Sequence, residues 1–169
     1  MIGLRKLKEE DAPYMLEWMH DKDVTRDLSK DFSKMTIDDC LSFIQTSQND
    51  SKNLHLAITD EKDVYLGTVS LKNIDYETKK AEFAITIRRM AMHTGISSLA
   101  MKKIIEIGFK EKGLNVVYWF VSKSNTRAIG FYDKNGYQRV GVNEIGLYKN
   151  GNENNDNYLW YSVHSKTFY

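Results

Sequence analysis

Apolar residues recur at helical spacing in four stretches of the chain, and helix-capping residues border them. The predicted helices cover residues 12–19, 36–44, 95–112 and 125–135. Asp11 is expected to cap the first helix, and Thr36 has capping-box spacing with Asp39 at the start of the second. Gly113 and Gly136 follow the last two helices, where glycine commonly ends a helix.

Runs rich in β-branched and aromatic residues separate these helices and predict strands. The predicted strands cover residues 1–7, 54–59, 64–71, 80–88, 116–121, 137–148 and 158–163. The polar segment Asn150–Asn157 is expected to be the loop of the last hairpin. The element order is strand, two helices, three strands, helix, strand, helix and two strands. This order predicts an α/β protein with a mixed sheet rather than a doubly wound parallel one.

The composition is that of an ordinary globular protein and excludes several function classes. The 169-residue chain is expected to form one domain, residues 1–169. It has 24 Lys and Arg against 23 Asp and Glu, so its near-neutral charge predicts no nucleic-acid partner. The single cysteine, Cys40, excludes an internal disulfide and a Cys-based zinc site.

The histidines and the hydropathy pattern add two further expectations. No metal is predicted, because the histidines lack metal-ligand spacing: His20, His55, His93 and His164. The chain has no continuous apolar run of membrane-spanning length, and its charged N-terminus does not resemble a signal peptide. No membrane partner and a cytoplasmic location are therefore predicted.

The junction between the strand at 80–88 and the next helix has features of a phosphate-binding site. The first N–H groups of a helix have no partner within it, and the helix dipole adds partial positive charge. Gly95 would let the main chain approach a ligand closely. Nearby side chains that could add hydroxyl groups or positive charge are Ser97, Ser98, Arg88 and Arg89. The alternative is an ordinary helix start with Thr94 as its N-cap.

A second candidate segment, Ser124–Tyr137, directly follows the predicted buried strand at 116–121. Asn125 is placed to cap its helix, and Tyr132 lies two turns further along. Tyr132 could face a ligand. Alternatively, it packs into the core together with Ala128 and Ile129, since aromatic residues at helical spacing are commonly core residues.

The pattern N-x-x-A-I-x-F-Y-x-K-x-G-[FY] in this segment resembles the C-terminal motif of the GNAT family of N-acetyltransferases. Its eight matching positions are Asn125, Ala128, Ile129, Phe131, Tyr132, Lys134, Gly136 and Tyr137. The acetyl-CoA loop of that family usually reads Gln/Arg-x-x-Gly-x-Gly/Ala, whereas Met90–Gly95 keeps only the last glycine. The element order is also similar. The resemblance implies an acetyl-CoA-dependent N-acetyltransferase with a mixed, mostly antiparallel central sheet flanked by helices.

The resemblance also implies roles for particular residues. Those expected to contact acetyl-CoA, the co-substrate, are Ile87, Met92, His93, Thr94, Gly95, Ile96, Ser97, Ser98, Asn125, Tyr132 and Lys134. Tyr132 would also protonate the departing thiolate, and Asn125 would bond the pantetheine arm or the acetyl-transfer region. The resemblance implies that the amine attacks the thioester carbonyl directly, before the thiolate departs.

The base that takes a proton from the amine has several candidates. Glu82, in the strand at 80–88, would act directly or through water. Its alternative role is that of a strand-edge carboxylate paired with Lys79 or Lys80. His20 and His93 are weaker candidates for the base.

Residues 16–28, LEWMHDKDVTRDL, resemble the N-terminal segment of the subgroup related to ribosomal-protein N-terminal acetyltransferases. Some members of that subgroup act on amino sugars, antibiotics or polyamines, and such a small-molecule amine is the expected acceptor. The alternatives are a protein N-terminus and a module that binds acyl-CoA without catalysis. Acidic residues that could attract a cationic amine, or form a solvated loop, are Asp21, Asp23, Asp27 and Asp31. Aromatic residues that could support a homodimer, or pack on their own domain, are Trp160, Tyr161, Phe168 and Tyr169.

Overall fold

One mixed sheet with helices on both faces makes up the protein, whose computed structural model describes residues 1–146 and 157–169. The strands are β1 (Gly3–Lys6), β2 (Leu54–Thr59), β3 (Tyr65–Asp75), β4 (Lys80–Ile87), β5 (Val116–Ser122), β6 (Gln138–Val140) and β7 (Tyr158–His164). The α-helices are α1 (Ala12–Met19), α2 (Lys22–Thr25), α3 (Ile37–Ser47), α4 (Ile96–Lys110), α5 (Thr126–Lys134), α6 (Val142–Ile145) and α7 (Ser165–Phe168). The strand order is β1-β2-β3-β4-β5-β7-β6. Among the described strands, only β4 and β5 pair in parallel, which confirms the predicted mixed, mostly antiparallel sheet.

The last predicted hairpin pairs as expected, but its first strand is shorter. β6 pairs antiparallel with β7 and ends at Val140, so the strand predicted over residues 137–148 is wrong for residues 141–146. The helical turn α6 follows instead, because its Ile145 is buried and the Ile145 carbonyl accepts a hydrogen bond from Lys80. Residues 147–148 of that predicted strand and residues 150–156 of the predicted loop lie outside the described residues. The single-turn helices α2, α6 and α7 are too short to produce a helical periodicity in the sequence.

Both predicted N-cap residues of the early helices hold the N-cap position, but only Thr36 caps its helix with its side chain. The Thr36 hydroxyl accepts a hydrogen bond from the Asp39 N–H at 3.2 Å, and Asp39 accepts one from the Thr36 N–H at 2.8 Å, which completes the capping box. Asp11 makes no capping bond to α1. Its backbone is already helical at the end of a 3-10 turn, so its carboxylate turns back to accept bonds from the Lys8 N–H and the Arg5 guanidinium.

Two apolar clusters lie on opposite faces of the sheet. Helices α1 and α3 cover the face that carries Ala57 and Tyr65, and they bury Cys40 in that cluster. Helix α4 covers the other face, where Leu71 and Phe83 belong to the second cluster. Since successive strand residues point to opposite faces, the position of a residue along its strand decides which compartment it reaches.

Strands β4 and β5 separate soon after they begin to pair. Their parallel register includes only Lys80 with Val116, Ala81 with Val117 and Glu82 with Tyr118. Beyond these pairs, β4 stays with β3 as far as Ile87, and β5 stays with β7 as far as Ser122. A Cβ on Gly67 of β3 would lie 2.5 Å from the carbonyl oxygen of Thr86, so glycine is required for the close approach of β3 to β4 here. The sheet therefore opens into a wedge between β4 and β5.

The aromatic residues near the C-terminus pack on their own chain. The ring of Tyr161 is stacked on that of Trp119, with centroids 5.6 Å apart, and Phe168 packs edge-on against Phe109 at 5.4 Å. These contacts agree with the expectation that this segment packs on its own domain. No helix in the described ranges is long and apolar enough to cross a membrane.

Replacing Asp11 with alanine is expected to lower the free energy of unfolding by about 3 kcal/mol, because the change deprives Arg5 of a buried bidentate partner. Asp63→Asn provides the control, since asparagine tolerates the φ of +64° at this position. Asp63 also contacts Arg5, at 2.7 Å, but its side chain is 52% exposed. We expect its loss to be below about 1 kcal/mol. Urea unfolding followed by circular dichroism measures both values, and equal losses would contradict the expectation.

Candidate active site

A cavity of about 950 Å³ occupies the wedge between β4 and β5. Residues from both separated strands line it, together with the first turn of α4, helix α5 and the chain that follows α2. Beyond Glu82, the described residues of β5 form no ladder with β4. The main-chain groups on this edge of β4 therefore face the cavity, and Ile87, a predicted cofactor contact, lines it at the far end of the strand.

The loop before α4 presents main-chain N–H groups to the cavity. Gly95 is the N-cap of α4 with φ +85°, and the Leu99 N–H makes the first helical bond, to the Gly95 carbonyl. Within the described ranges, no hydrogen bond uses the N–H groups that come before it in the helix: those of Ile96, Ser97 and Ser98. Unpartnered N–H groups at a helix start form an anion-binding site. The geometry therefore fits a diphosphate without requiring basic side chains.

Most of the loop residues expected to bind acetyl-CoA line this cavity. They are Met92, His93, Gly95, Ser97 and Ser98. Thr94 and Ile96 do not line it: the Thr94 hydroxyl donates to the Ala91 carbonyl, and Ile96 packs against the core. The alternative role of Thr94 as N-cap of α4 is also wrong, since Gly95 holds that position. His93, which stands where the family has its first glycine, has φ +61°, a backbone conformation that glycine favours.

The arginines next to this loop do not face the cavity. Arg88 forms two bonds to the Glu17 carboxylate, at 2.9 and 3.0 Å, and Arg89 contacts both Asp21 and Asp23. The Arg89 guanidinium, acting through its hydrogen bond, lowers the pKa of Asp21. The expectation that these two arginines supply positive charge for a phosphate is therefore wrong. Both arginines are instead ion-paired with carboxylates on α1 and on the residues that follow it.

Other cations line the cavity in their place. Arg127 lies in the first turn of α5, where it donates to the Asp23 carbonyl at 3.3 Å and lies 3.8 Å from the Asp27 carboxylate. Lys134, at the end of α5, also lines the cavity, as expected. Arg127 is not among the residues predicted from the sequence, although it lies within the recognised motif, because the motif has a variable residue at that position.

Helix α5 brings Asn125 and Tyr132 to the cavity. The Asn125 side chain accepts a hydrogen bond from the Ala128 N–H at 3.1 Å, which confirms the predicted cap, and Asn125 also lines the cavity. The Tyr132 ring packs against Trp119 at 5.2 Å and Tyr161 at 5.1 Å. Its hydroxyl makes no hydrogen bond in the described part of the chain, and burial raises the pKa of Tyr132. Tyr132 is thus both a packing residue and a protonated phenol at the cavity.

Glu82 lines the cavity where β4 and β5 separate. Its carboxylate lies 3.2 Å from the Lys72 ammonium group. Lys72 is its register partner on β3, and cross-strand neighbours lie on the same face. The expected partners Lys79 and Lys80 are therefore wrong: Lys79 lies before β4, and Lys80 donates to the Ile145 carbonyl instead. Burial, and then the Glu82 carboxylate, raise the pKa of Tyr118 to about 12.

Glu82 and Tyr132 approach the wedge from opposite faces of the sheet. Phe83, next to Glu82 on β4, packs edge-on against Trp119 at 5.5 Å, and Trp119 packs against Tyr132. Because side chains alternate along a strand, Glu82 points to the other face, which helices α1 and α3 cover in part. The wedge connects the two faces, so one bound molecule can contact both groups.

The remaining candidates contribute less to the cavity. Asp31 accepts a hydrogen bond from the Ser33 N–H, and of the four acidic residues expected to attract an amine only Asp27 lines the cavity in the described part of the chain. His20 contacts the Met35 carbonyl at 2.8 Å and is not brought to the cavity, whereas His93 is. The described residues hold no group of three or more His, Cys, Asp or Glu side chains that could bind a metal ion.

Two aromatic residues that are not among the predicted site residues also line the cavity, Phe120 and Tyr158. The run VVYWFV predicts a buried strand, yet Phe120 is 42% exposed. Nothing in the composition of the run distinguishes Phe120 from its buried neighbours. Its exposure arises because β5 has no partner on one side at this point.

Comparisons with known proteins identify the family. The family model described as "Acetyltransferase (GNAT) domain" matches residues 2–138. An uncharacterized N-acetyltransferase, p20, of Bacillus licheniformis is 28% identical over 146 residues, which are 83% of this chain and 81% of that protein. The spermidine N(1)-acetyltransferase of Escherichia coli K12 is 26% identical over 162 residues, covering 91% of this chain and 82% of that one.

A solved structure shows the same fold. The spermidine N-acetyltransferase from Vibrio cholerae, in complex with CoA and spermine, superposes with a TM-score of 0.81 at 18% identity and covers 99% of this chain and 97% of its own. The wedge between β4 and β5 and the unpartnered N–H groups at the start of α4 are consistent with the matched family model. The chain belongs to the GNAT family and is an acetyl-CoA-dependent N-acetyltransferase.

Proposed function

We propose that the protein transfers an acetyl group from acetyl-CoA to the primary amine of a small molecule, with Tyr132 as general acid and Glu82 as general base. The observation that carries the proposal is the wedge, which gives one bound molecule access to Tyr132 from one face of the sheet and to Glu82 from the other. At the same cavity, α4 offers its unpartnered N–H groups.

The N–H groups of Ser97 and Ser98 would bind the diphosphate of the co-substrate, and Arg127 and Lys134 add positive charge at the same cavity. The exposed main-chain edge of β4, as far as Ile87, would hold the pantetheine arm and polarise the carbonyl. Asn125 borders the same space with its amide. Bound acetyl-CoA supplies an activated thioester carbonyl.

Two side chains would carry the protons. Glu82 accepts the proton that the amine must lose, directly or through water, and its carboxylate lies 3.2 Å from the Lys72 ammonium group. Tyr132 donates its phenolic proton to the departing thiolate. Since burial raises the pKa of Tyr132, the phenol keeps its proton at neutral pH until that step.

The acceptor class rests on the cavity and on the relatives. An amino sugar, an antibiotic or a polyamine fits the small-molecule class, and the matched spermidine acetyltransferases support the inclusion of polyamines. A protein N-terminus and a non-catalytic acyl-CoA-binding module are the alternatives. The single domain over residues 1–169, the cytoplasmic location and the homodimer remain predictions.

Gly95→Ala is expected to weaken CoA binding about tenfold, because alanine disfavours φ +85° and the N–H groups would lose their alignment. Gly113→Ala is the matched control: Gly113 has φ +68° beyond the other end of α4, and an added Cβ meets nothing within 4 Å at either glycine. Isothermal titration with CoA should show a change of less than about twofold for the control. Equal weakening by both variants would contradict the binding site.

Tyr132→Phe is expected to lower kcat by about 10² to 10⁴, the usual contribution of a general acid, with little change in the KM for acetyl-CoA. Tyr137→Phe is the control, since Tyr137 packs edge-on against the same Trp119 ring but does not line the cavity. Because the pKa of Tyr132 is raised, kcat of the parent should not fall up to about pH 10 through loss of this proton. A Tyr132→Phe variant with the kcat of the parent would exclude the acid role.

Glu82→Gln is expected to lower kcat/KM for the amine by about 10²-fold at pH 7. This deficit should narrow as the pH approaches the pKa of the amine itself, since the free amine needs no base. Glu106→Gln, on α4 and paired with Lys110 away from the cavity, should behave as the parent. An unchanged kcat/KM in Glu82→Gln would contradict the role of Glu82 as the base and would show that its ion pair with Lys72 is only structural. Stopped-time measurement of CoA release checks each case.

A further inference from the structure

Four aromatic side chains form a continuous patch on one face of β5 and β7. This aromatic patch consists of Tyr118, Phe120, Tyr158 and Trp160. The Phe120 ring lies 4.9 Å from that of Trp160 and 5.3 Å from that of Tyr158, and the Trp160 ring lies 6.3 Å from that of Tyr118. Phe120 is exposed, Tyr158 and Trp160 are half-buried, and Tyr118 is buried beneath them. Rings that are partly open to solvent in one contiguous group are typical of a binding surface.

The aromatic patch lies on the same face of the sheet as Glu82. Tyr118 is the register partner of Glu82, and Phe120 is two residues further along β5, so their side chains point the same way. Phe120 and Tyr158 line the cavity. A molecule whose amine reaches Glu82 from this face therefore has these rings beside it. Tyr132 lies at the opposite face of the wedge, and the N–H groups at the start of α4 lie at its end.

The charges on this face do not suit a polycation. Among the described residues, the acidic residues that line the cavity are Asp27 and Glu82. Glu82 lies 3.2 Å from Lys72, and Asp27 lies 3.5 Å from Arg26 and 3.8 Å from Arg127. Each of these two carboxylates is therefore already close to a cationic side chain of the protein. An acceptor with several ammonium groups would have to lose hydration without gaining an unpaired carboxylate for each charge.

We propose that the aromatic patch binds an aromatic ring of the acceptor. The preferred acceptor is then a small molecule that has an aromatic ring and a primary amine as its only positively charged group. This inference rests on the proposed acetyl transfer and narrows its substrate class. Ring-on-ring contact with Phe120 and Tyr158 favours such a molecule and positions its amine toward Glu82. A flexible, highly charged polyamine gains little from the same surface.

The test compares 2-phenylethylamine with spermidine as acceptors for the full chain, measured as amine-dependent CoA release. We expect kcat/KM for 2-phenylethylamine to exceed that for spermidine at least tenfold. Phe120→Ala should lower kcat/KM for 2-phenylethylamine about tenfold through KM, and should change the spermidine value and the KM for acetyl-CoA less than twofold. Phe43→Ala is the matched control, since Phe43 is a similarly exposed phenylalanine on α3 that does not line the cavity.

A preference of the parent for spermidine would overturn the inference, as would equal losses for both amines in Phe120→Ala. Absence of CoA release with every amine would instead contradict the proposed catalysis. In that case, titration of 2-phenylethylamine in the presence of CoA, followed by tryptophan fluorescence, tests the aromatic patch directly. Trp160 lies against Phe120, so its signal should change on binding and should be lost in Trp160→Phe. No saturable change in the parent would overturn the proposed contact, and thermal melting confirms that each variant is folded.

Discussion

The separation of β4 from β5 after Glu82 and Tyr118 is the constraint on which the site depends. Paired strands satisfy the main-chain groups of each other, so strands that part leave donors and acceptors that need another partner. Packing keeps the strands apart, because the buried Trp119 follows the last register pair and rings from β4, β7 and α5 pack against it. The same indole therefore supports the wedge and positions Tyr132.

The charges around the loop before α4 have a mainly structural role. Arg88 is bound to Glu17 of α1, and Arg89 to the acidic residues that follow α1. These ion pairs connect α1 and α2 to the loop that begins α4. Because they engage the arginines, the anion-binding capacity of the loop comes from main-chain N–H groups, supplemented by cations of α5. A main-chain site of this kind needs few particular side chains, and His93 and Gly95 both adopt the positive φ that glycine favours.

The two faces of the sheet divide the chemistry. The side that carries Tyr132 is packed with aromatic rings and keeps the phenol protonated, while the side that carries Glu82 holds an ion pair and an exposed aromatic surface. A direct transfer needs an acid and a base that do not neutralise each other. The proposed acid, Tyr132, and the proposed base, Glu82, approach the wedge from opposite faces, because alternation along β4 points Glu82 away from Phe83 and the rings around Tyr132.

The spacing of apolar and capping residues along the chain determined the helices and strands, and also the hydrogen bonds between residues a few positions apart. The Thr36 capping box, the Asn125 cap and the order of helices and strands follow from local patterns, and the motif in α5 identified the family together with Tyr132. Contacts between distant segments were decided only by the tertiary structure. The Asp11 side chain binds Arg5 rather than capping α1, and the partner of Glu82 is Lys72 on the neighbouring strand. Phe120 is exposed because β5 loses its neighbour. Local hydrogen bonds depend on residues a few positions apart, whereas ion-pair partners and exposure depend on which strands and helices the whole fold brings together.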